Sequence, residues 1–211
     1  MTRQTSNKND LDKRVSSSIF PANSMPYNLS YKDWTGKWWQ WALSIPKTNN
    51  PLTDTNGSYC AEGQSGPVWF LAGTSGKINS IKRRCSVPCE KAILFPVIVT
   101  ELSFAEVPTI RTDQELIDTA SRDIKEYTLL KVSLDGVEIG ELYKYRIKFG
   151  PFDLLLPTNN IWGLDPGVTR AVSDGYWVFL KPLSIGDHQL YLHGIEPHFE
   201  TEVTYYLTVT P

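Results

Sequence analysis

No run of about 18 apolar residues occurs in this 211-residue chain, so no transmembrane helix is expected. The chain also lacks a surplus of either charge: Lys and Arg total 21 against 23 Asp and Glu, a net charge of −2. A general nucleic-acid binder needs a basic excess to meet phosphates, so no nucleic-acid partner is expected. The opening MTRQTSNKNDLDKRVSSS has no apolar leader core. As given, the chain is expected in the cytoplasm, or outside the cell if a native leader was removed. Cysteine is scarce. Cys60, Cys85 and Cys89 allow at most one internal disulfide. Reduced structural thiols suit a cytosolic chain, and a bond from Cys60 to Cys85 or to Cys89 is the other reading. With three histidines, no close pair of metal-ligand pairs arises, so neither a zinc site nor another cofactor is expected. Gly76-Lys77 lacks the upstream glycine of a phosphate-binding loop.

Tryptophan is abundant. Four of the seven, Trp34, Trp38, Trp39 and Trp41, stand within eight positions. Each indole can hide on the order of 200 Å² and carries an N–H that needs a partner. Ser30 and Asp33 have capping-box spacing, and Pro46 closes the segment, which predicts a helix over about 30–45. At about 100° per residue, Trp34, Trp38, Trp41, Ala42 and Ile45 share a face, while Trp39 and Leu43 fall off it. So wide an apolar arc requires cover on two sides, or presentation of Trp39 to a ligand.

Residues 1–24 are polar and read as a mobile N-terminal arm, with 25–211 as one domain. Thr112 and Glu115 open a second amphipathic helix over about 112–126. Elsewhere the pattern is of strands. Val68–Ala72 reads as a strand buried on both faces. Lys91–Phe104 holds another apolar run, interrupted by Pro96, which suggests a bulge or an edge. Asp135-Gly136 sits between alternating apolar residues as a two-residue hairpin turn. Tyr143–Phe149 alternates with charge, and Val203, Tyr205, Leu207 and Val209 share one side of the last strand. Eight or nine strands joined by hairpins make a mainly β chain. The expected fold is an antiparallel β-sandwich, jelly-roll or immunoglobulin-like, with two accessory α-helices and the early strands central beneath the tryptophans.

The blocks KDWTGKWWQWALSIP, GQSGPVWFLAGT, CSVPCEKAILFPV and DGYWVFLKPL, in this order, resemble a family of uncharacterised bacterial and archaeal proteins with WWxW…P, GPVWFLAGT and DGYW-type blocks. The resemblance spans roughly residues 25–210. It supplies no activity and no catalytic residue. It implies a secretory leader in relatives, which this chain does not display. It also implies that Cys60 and Cys85 form the natural pair, because the position of Cys89 is more often small.

Candidate chemistry is sparse. Gly63-Gln64-Ser65-Gly66 lacks the G-x-S-x-G spacing of a nucleophile elbow and reads as a turn. His193 and His198, with Glu196, could form a weak two-histidine, one-carboxylate site, while scattered surface histidines are the plainer reading. Lys82-Arg83-Arg84 reads as a solvated strand face. Glu101, Asp165 and Asp174 are the acids that could serve a glycosidase-like hydrolase, although the last two also suit turns. The tryptophans of the helix face and Trp69 read as core. Trp39, Trp162, Tyr176 and Trp177 are the candidate ligand-binding residues, since sugar rings stack on indole faces. The expected function is thus a non-catalytic binding protein for a glycan or a protein partner. A carboxylate-dependent hydrolase and a self-assembling subunit are the alternatives, and an oligomer is compatible with all three.

Overall fold

Ser30 begins the tryptophan helix. Its hydroxyl accepts from the backbone N–H of Asp33 at 3.3 Å, and the Asp33 carboxylate accepts from the N–H of Ser30 at 3.2 Å. This capping box starts α1, Tyr31–Ser44. Pro46 bars Ile45 from the helical region, and the chain leaves at φ −85° and ψ 128°. The computed structural model describes residues 17–76 and 80–211.

Helix α1 lies on a four-stranded sheet of β1 (Val68–Phe70), β3 (Ala92–Ser103), β7 (Gly167–Leu180) and β6 (Arg146–Leu156), in that spatial order. A second sheet runs β2 (Ile81–Pro88), β9 (Phe199–Thr210), β8 (Gly186–Glu196), β4 (Leu129–Leu134) and β5 (Val137–Glu138). The fold is a mainly β sandwich with accessory helices. Pairing is antiparallel except at one edge of each sheet, where β1 runs parallel to β3 and β2 parallel to β9.

Strand β7 explains the layering. Every residue from Ala171 to Leu180 is buried. Tyr176, Val178 and Leu180 point into the core between the sheets, and Trp177 and Phe179 point into the core beneath α1. A strand with no wet face must be central and covered twice. The early strands do not all take that place: β3 is internal, but β1 and β2 are edges. Pro96 marks a register shift in β3, so the bulge reading holds and the edge reading does not. Gly36 lets α1 approach β6 closely, since a Cβ there would lie 2.0 Å from the Phe149 ring.

Helix α2, Asp113–Asp123, starts at a capping box of Thr112 and Glu115 and packs Leu116 and Ala120 against Val172. A 3-10 turn, Ile124–Glu126, extends it. Asp135 and Gly136 take φ of 52° and 77° and make the expected tight turn between β4 and β5. The alternating segment from Tyr143 is different. Leu142–Tyr145 forms a 3-10 turn entered through left-handed Glu141, and the strand begins only at Arg146.

Most of the expected mobile arm is not described. Residues 1–16 lie outside the described residues, as do 77–79. Residues 17–24 dock: Ile19 is buried and bridges Leu180, and the N–H of Phe20 donates to the Phe179 carbonyl at 2.8 Å.

The run Lys82-Arg83-Arg84 is not one solvated face. Strand β2 alternates, and Ile81, Arg83, Cys85 and Val87 all point inward. Arg83 is 1% exposed. Its Nε donates to the Asp54 carbonyl at 2.8 Å, and its Nη1 donates to the carbonyls of Ala72 and Gly73 and to the Tyr205 hydroxyl. Backbone carbonyls at Nε and Nη1 offset part of its loss of water, while Nη2 has no partner among the described residues. Beside it, Cys60 and Cys85 are joined by a disulfide, and Cys89 is free. Among the described residues no helix is long and apolar enough to cross a membrane.

Candidate functional site

The wide apolar arc of α1 is resolved by cover on several sides. The indole N–H of Trp34 donates to the Pro26 carbonyl, that of Trp38 to Leu71 and that of Trp41 to Glu62, at 2.8, 2.9 and 2.8 Å. The indole N–H of Trp39 donates to the Ser173 hydroxyl at 2.8 Å. Trp38 is the hub, edge-to-face with Trp39, Trp41 and Trp177 at centroid separations of 4.9, 5.7 and 5.3 Å.

One cavity opens at the end of this cluster. Its volume is about 200 Å³, and its walls include Trp38, Trp39, Trp162 and Phe199 together with Glu101 and Glu106. Trp162 is 38% exposed, the only tryptophan of the seven not buried. It is carried by a loop that Asn160 fastens. The buried Asn160 amide donates to the carbonyls of Pro157 and Leu164 and accepts from the N–H of Leu164. A loop residue held this way presents its ring without much entropy left to lose on binding.

Glu101 sits near the end of β3, directly opposite Ser173 of β7. Opposite residues share a sheet face, so Glu101 lies on the side covered by α1. The residue is 7% exposed, and no N–H or hydroxyl of the described residues reaches its carboxyl, whose one polar neighbour is the Glu106 carboxyl. An unpartnered carboxylate in such a place is costly, so the neutral form is favoured. Burial pushes the Glu101 carboxyl well above the ordinary carboxylate range, and the neighbouring Glu106 adds to the rise. Burial also raises Glu106, against hydrogen bonds from the hydroxyl and N–H of Ser103 at 2.7 and 3.0 Å. Two carboxyls sharing one apolar site hold a proton between them more readily than either alone.

The remaining candidates are dispersed. Trp39 lines the cavity but is 5% exposed, so it forms a wall and not an open platform. Tyr176 is buried in the inter-sheet core against Tyr127, and Trp177 is fully buried beneath α1. Both lie away from the cavity lining because β7 has no wet face. Asp174 stands one position off Glu101 in register, opposite Thr100, and so points to the other face of the sheet. It takes two bonds from Arg146, at 2.9 and 2.8 Å. Asp165 is exposed. Glu101, Asp165 and Asp174 therefore do not assemble, and the acid that Glu101 meets is Glu106. His193 pairs with Glu200 at 2.8 Å and His188 with Asp135 at 2.7 Å. Among the described residues no three His, Cys, Asp or Glu side chains converge as metal ligands. His198 and Glu196 instead line a wider cleft of about 480 Å³ with Arg122 and Asp123, which adjoins the first cavity at Val99, Thr100 and Phe199.

Comparison with protein-family models, with curated proteins and with solved structures gives no match.

Proposed function

We propose that the protein is a non-catalytic binding protein that takes a small ligand into the cavity between Trp39, Trp162 and Glu101. The observation that carries this reading is Glu101, a buried carboxyl met by no N–H or hydroxyl and by Glu106 alone, lining a cavity walled by aromatic rings. Buried polar groups are normally satisfied, and one left open toward a cavity is a place for a ligand atom. An extended glycan platform has less support. Such platforms need a row of exposed indoles, and Trp162 is the single exposed one. A sugar of one ring remains within the size of the cavity.

The acid pair gives the hydrolase alternative its one favouring observation, because two carboxyls with displaced titrations suit acid and base roles. Turnover of an aryl glycoside, lost in both Glu101→Gln and Glu106→Gln, would move the reading to an enzyme.

The disulfide supports an oxidising compartment over the cytoplasm, since thiols in the cytosol are kept reduced. Alkylation of intact cells or medium before lysis would reveal free Cys60 and Cys85 if the protein lives in a reducing space.

The binding reading is tested by following the seven indole N–H resonances during titration with single-ring sugars and small amines. Shifts concentrated at Trp38, Trp39 and Trp162 support it. Shifts confined to other indoles, or none, overturn it.

A further inference from the structure

The charge of the cavity lining is of one sign. The indole N–H groups of Trp38 and Trp39 are spent on Leu71 and Ser173. The N–H of Thr74, on the same wall, is spent on the Thr201 hydroxyl at 2.9 Å. Glu101 receives no N–H or hydroxyl from the described residues, and its one polar neighbour is the Glu106 carboxyl. The charged residues among the described lining are Glu101 and Glu106. The site therefore offers ring faces and two carboxyls, and its donors are neutral: the hydroxyls of Thr74, Ser75, Thr100 and Thr201 and the Trp162 indole N–H.

A neutral sugar or polyol brings no charge to offset a buried carboxyl pair. An ammonium has donors or C–H surface and positive charge, and it is attracted to the negative faces of aromatic rings. A divalent metal would want six or more oxygens, or a cluster of three or more side chains, and two carboxyls fall short of that. The volume of about 200 Å³ excludes a large ligand.

From this, and resting on the binding reading above, we infer that the ligand is a small organic cation, a protonated or quaternary amine, seated between the Glu101 and Glu106 carboxyls and the rings of Trp39, Trp162 and Phe199. The exchange of charge balances as follows. In the empty site the two acids hold a shared proton. As the cation enters, that carboxyl O–H bond breaks, the proton passes to solvent, and the ammonium takes over the neutralising role. No covalent bond to the ligand forms. The group that meets the acid pair is Ser103, whose hydroxyl and N–H donate to Glu106. In the adjoining cleft stand Arg122, Asp123, Glu126, Glu196 and His198, beyond Val99 and Thr100. Affinity for the cation is therefore expected to rise with pH while the pair gives up its proton.

Isothermal titration of the full chain with choline, with its neutral isostere 3,3-dimethylbutan-1-ol, with glucose and with calcium chloride tests this. Choline is expected to bind at least about tenfold more tightly than the alcohol, a difference of about 1.4 kcal/mol. Its heat should differ between phosphate and Tris buffers by the ionisation of the released proton. Glu101→Gln should weaken choline about tenfold and abolish the buffer dependence, with Glu106→Gln as the second variant if the first unfolds. The inference is overturned if the alcohol, glucose or calcium binds as well as choline while moving the Trp39 and Trp162 resonances. In that case the cavity is still a binding site, and only the ligand class is wrong. If no probe moves those resonances, the site and the class fail together.

Discussion

The indole N–H of Trp39 donates to the hydroxyl of Ser173 at 2.8 Å, and Ser173 stands directly opposite Glu101. This one bond fixes the wall of the cavity to the strand that carries the neighbour of its acid. Trp39→Phe keeps an aromatic ring and removes the bond. A neutral hydrogen bond of this kind contributes about 1 kcal/mol, so urea unfolding should show a loss of that order plus a part for the smaller ring. Trp38→Ala should cost about 3–5 kcal/mol, because its side chain is completely buried at the hub of the cluster. Equal losses for the two variants would contradict the division between hub and wall.

Glu101 gives the protein a pH dependence of definite sign. Its carboxyl is raised by burial and by Glu106 above its ordinary 4.5, so the folded state holds a proton that the unfolded state has released. Stability linked to that proton is present below pH 4.5 and declines as pH rises toward the elevated folded value. Gln is a neutral isostere of the protonated acid. Glu101→Gln should therefore raise the melting temperature of the unliganded protein at pH 8 relative to wild type, by more than it does at pH 5. A variant less stable than wild type at pH 8 would mean that the carboxylate is satisfied in the fold.

How far the sequence could lead is visible residue by residue. Ser30 with Asp33, Thr112 with Glu115, and Asp135-Gly136 are local devices whose partners lie within four positions, and each forms where the spacing indicates. Trp39 was separable as the tryptophan off the helical stripe, and Trp162 as the one in a loop. Glu106 carried no such mark. It reaches Glu101 because the chain turns back after β3, with Ser103 hydrogen-bonded to Glu106. Its Ser-x-x-Glu spacing was a signal, though one of turn structure and not of chemistry. Arg83 was misplaced because charge argued outward, while the inward alternation of Ile81, Cys85 and Val87 argued the reverse. The carbonyls that settle the matter come from residues 54, 72 and 73, which no local pattern connects to position 83.

The Cys60–Cys85 disulfide spans a sequence separation of 25 and ties the loop after α1 to edge strand β2. On chain-entropy grounds a closed loop of that size stabilises by about 3 kcal/mol. The paired variant Cys60→Ala with Cys85→Ala should lose that much in urea unfolding. Dithiothreitol should lower the melting temperature of wild type and leave the paired variant unmoved. Cys89→Ala should be close to neutral, because Cys89 is free and only half-buried. A reductant effect in the paired variant would point to a role for Cys89 instead.

The sharpest energetic test concerns Arg83 and Tyr205, paired side by side on parallel strands β2 and β9. The Tyr205 hydroxyl accepts from Arg83 Nη1 at 2.7 Å and donates to the Ala72 carbonyl at 2.7 Å, and the guanidinium carbon lies 5.5 Å from the phenol ring centroid. Both residues are about 1% exposed. Hydrogen bonds to a buried charge contribute about 1.5–3 kcal/mol each, so Tyr205→Phe should cost roughly that amount. Arg83→Met should cost more, because it removes the donors to the carbonyls of Asp54 and Gly73 and leaves the Ala72 carbonyl with the Tyr205 hydroxyl alone. The double variant should lose less than the sum, by about 1–3 kcal/mol, since each change removes part of what the other relied on. Strict additivity in denaturant unfolding would show that the two side chains act independently. The loop from Asp54 to Gly73 would then be held by its own hydrogen bonds and not by the buried guanidinium.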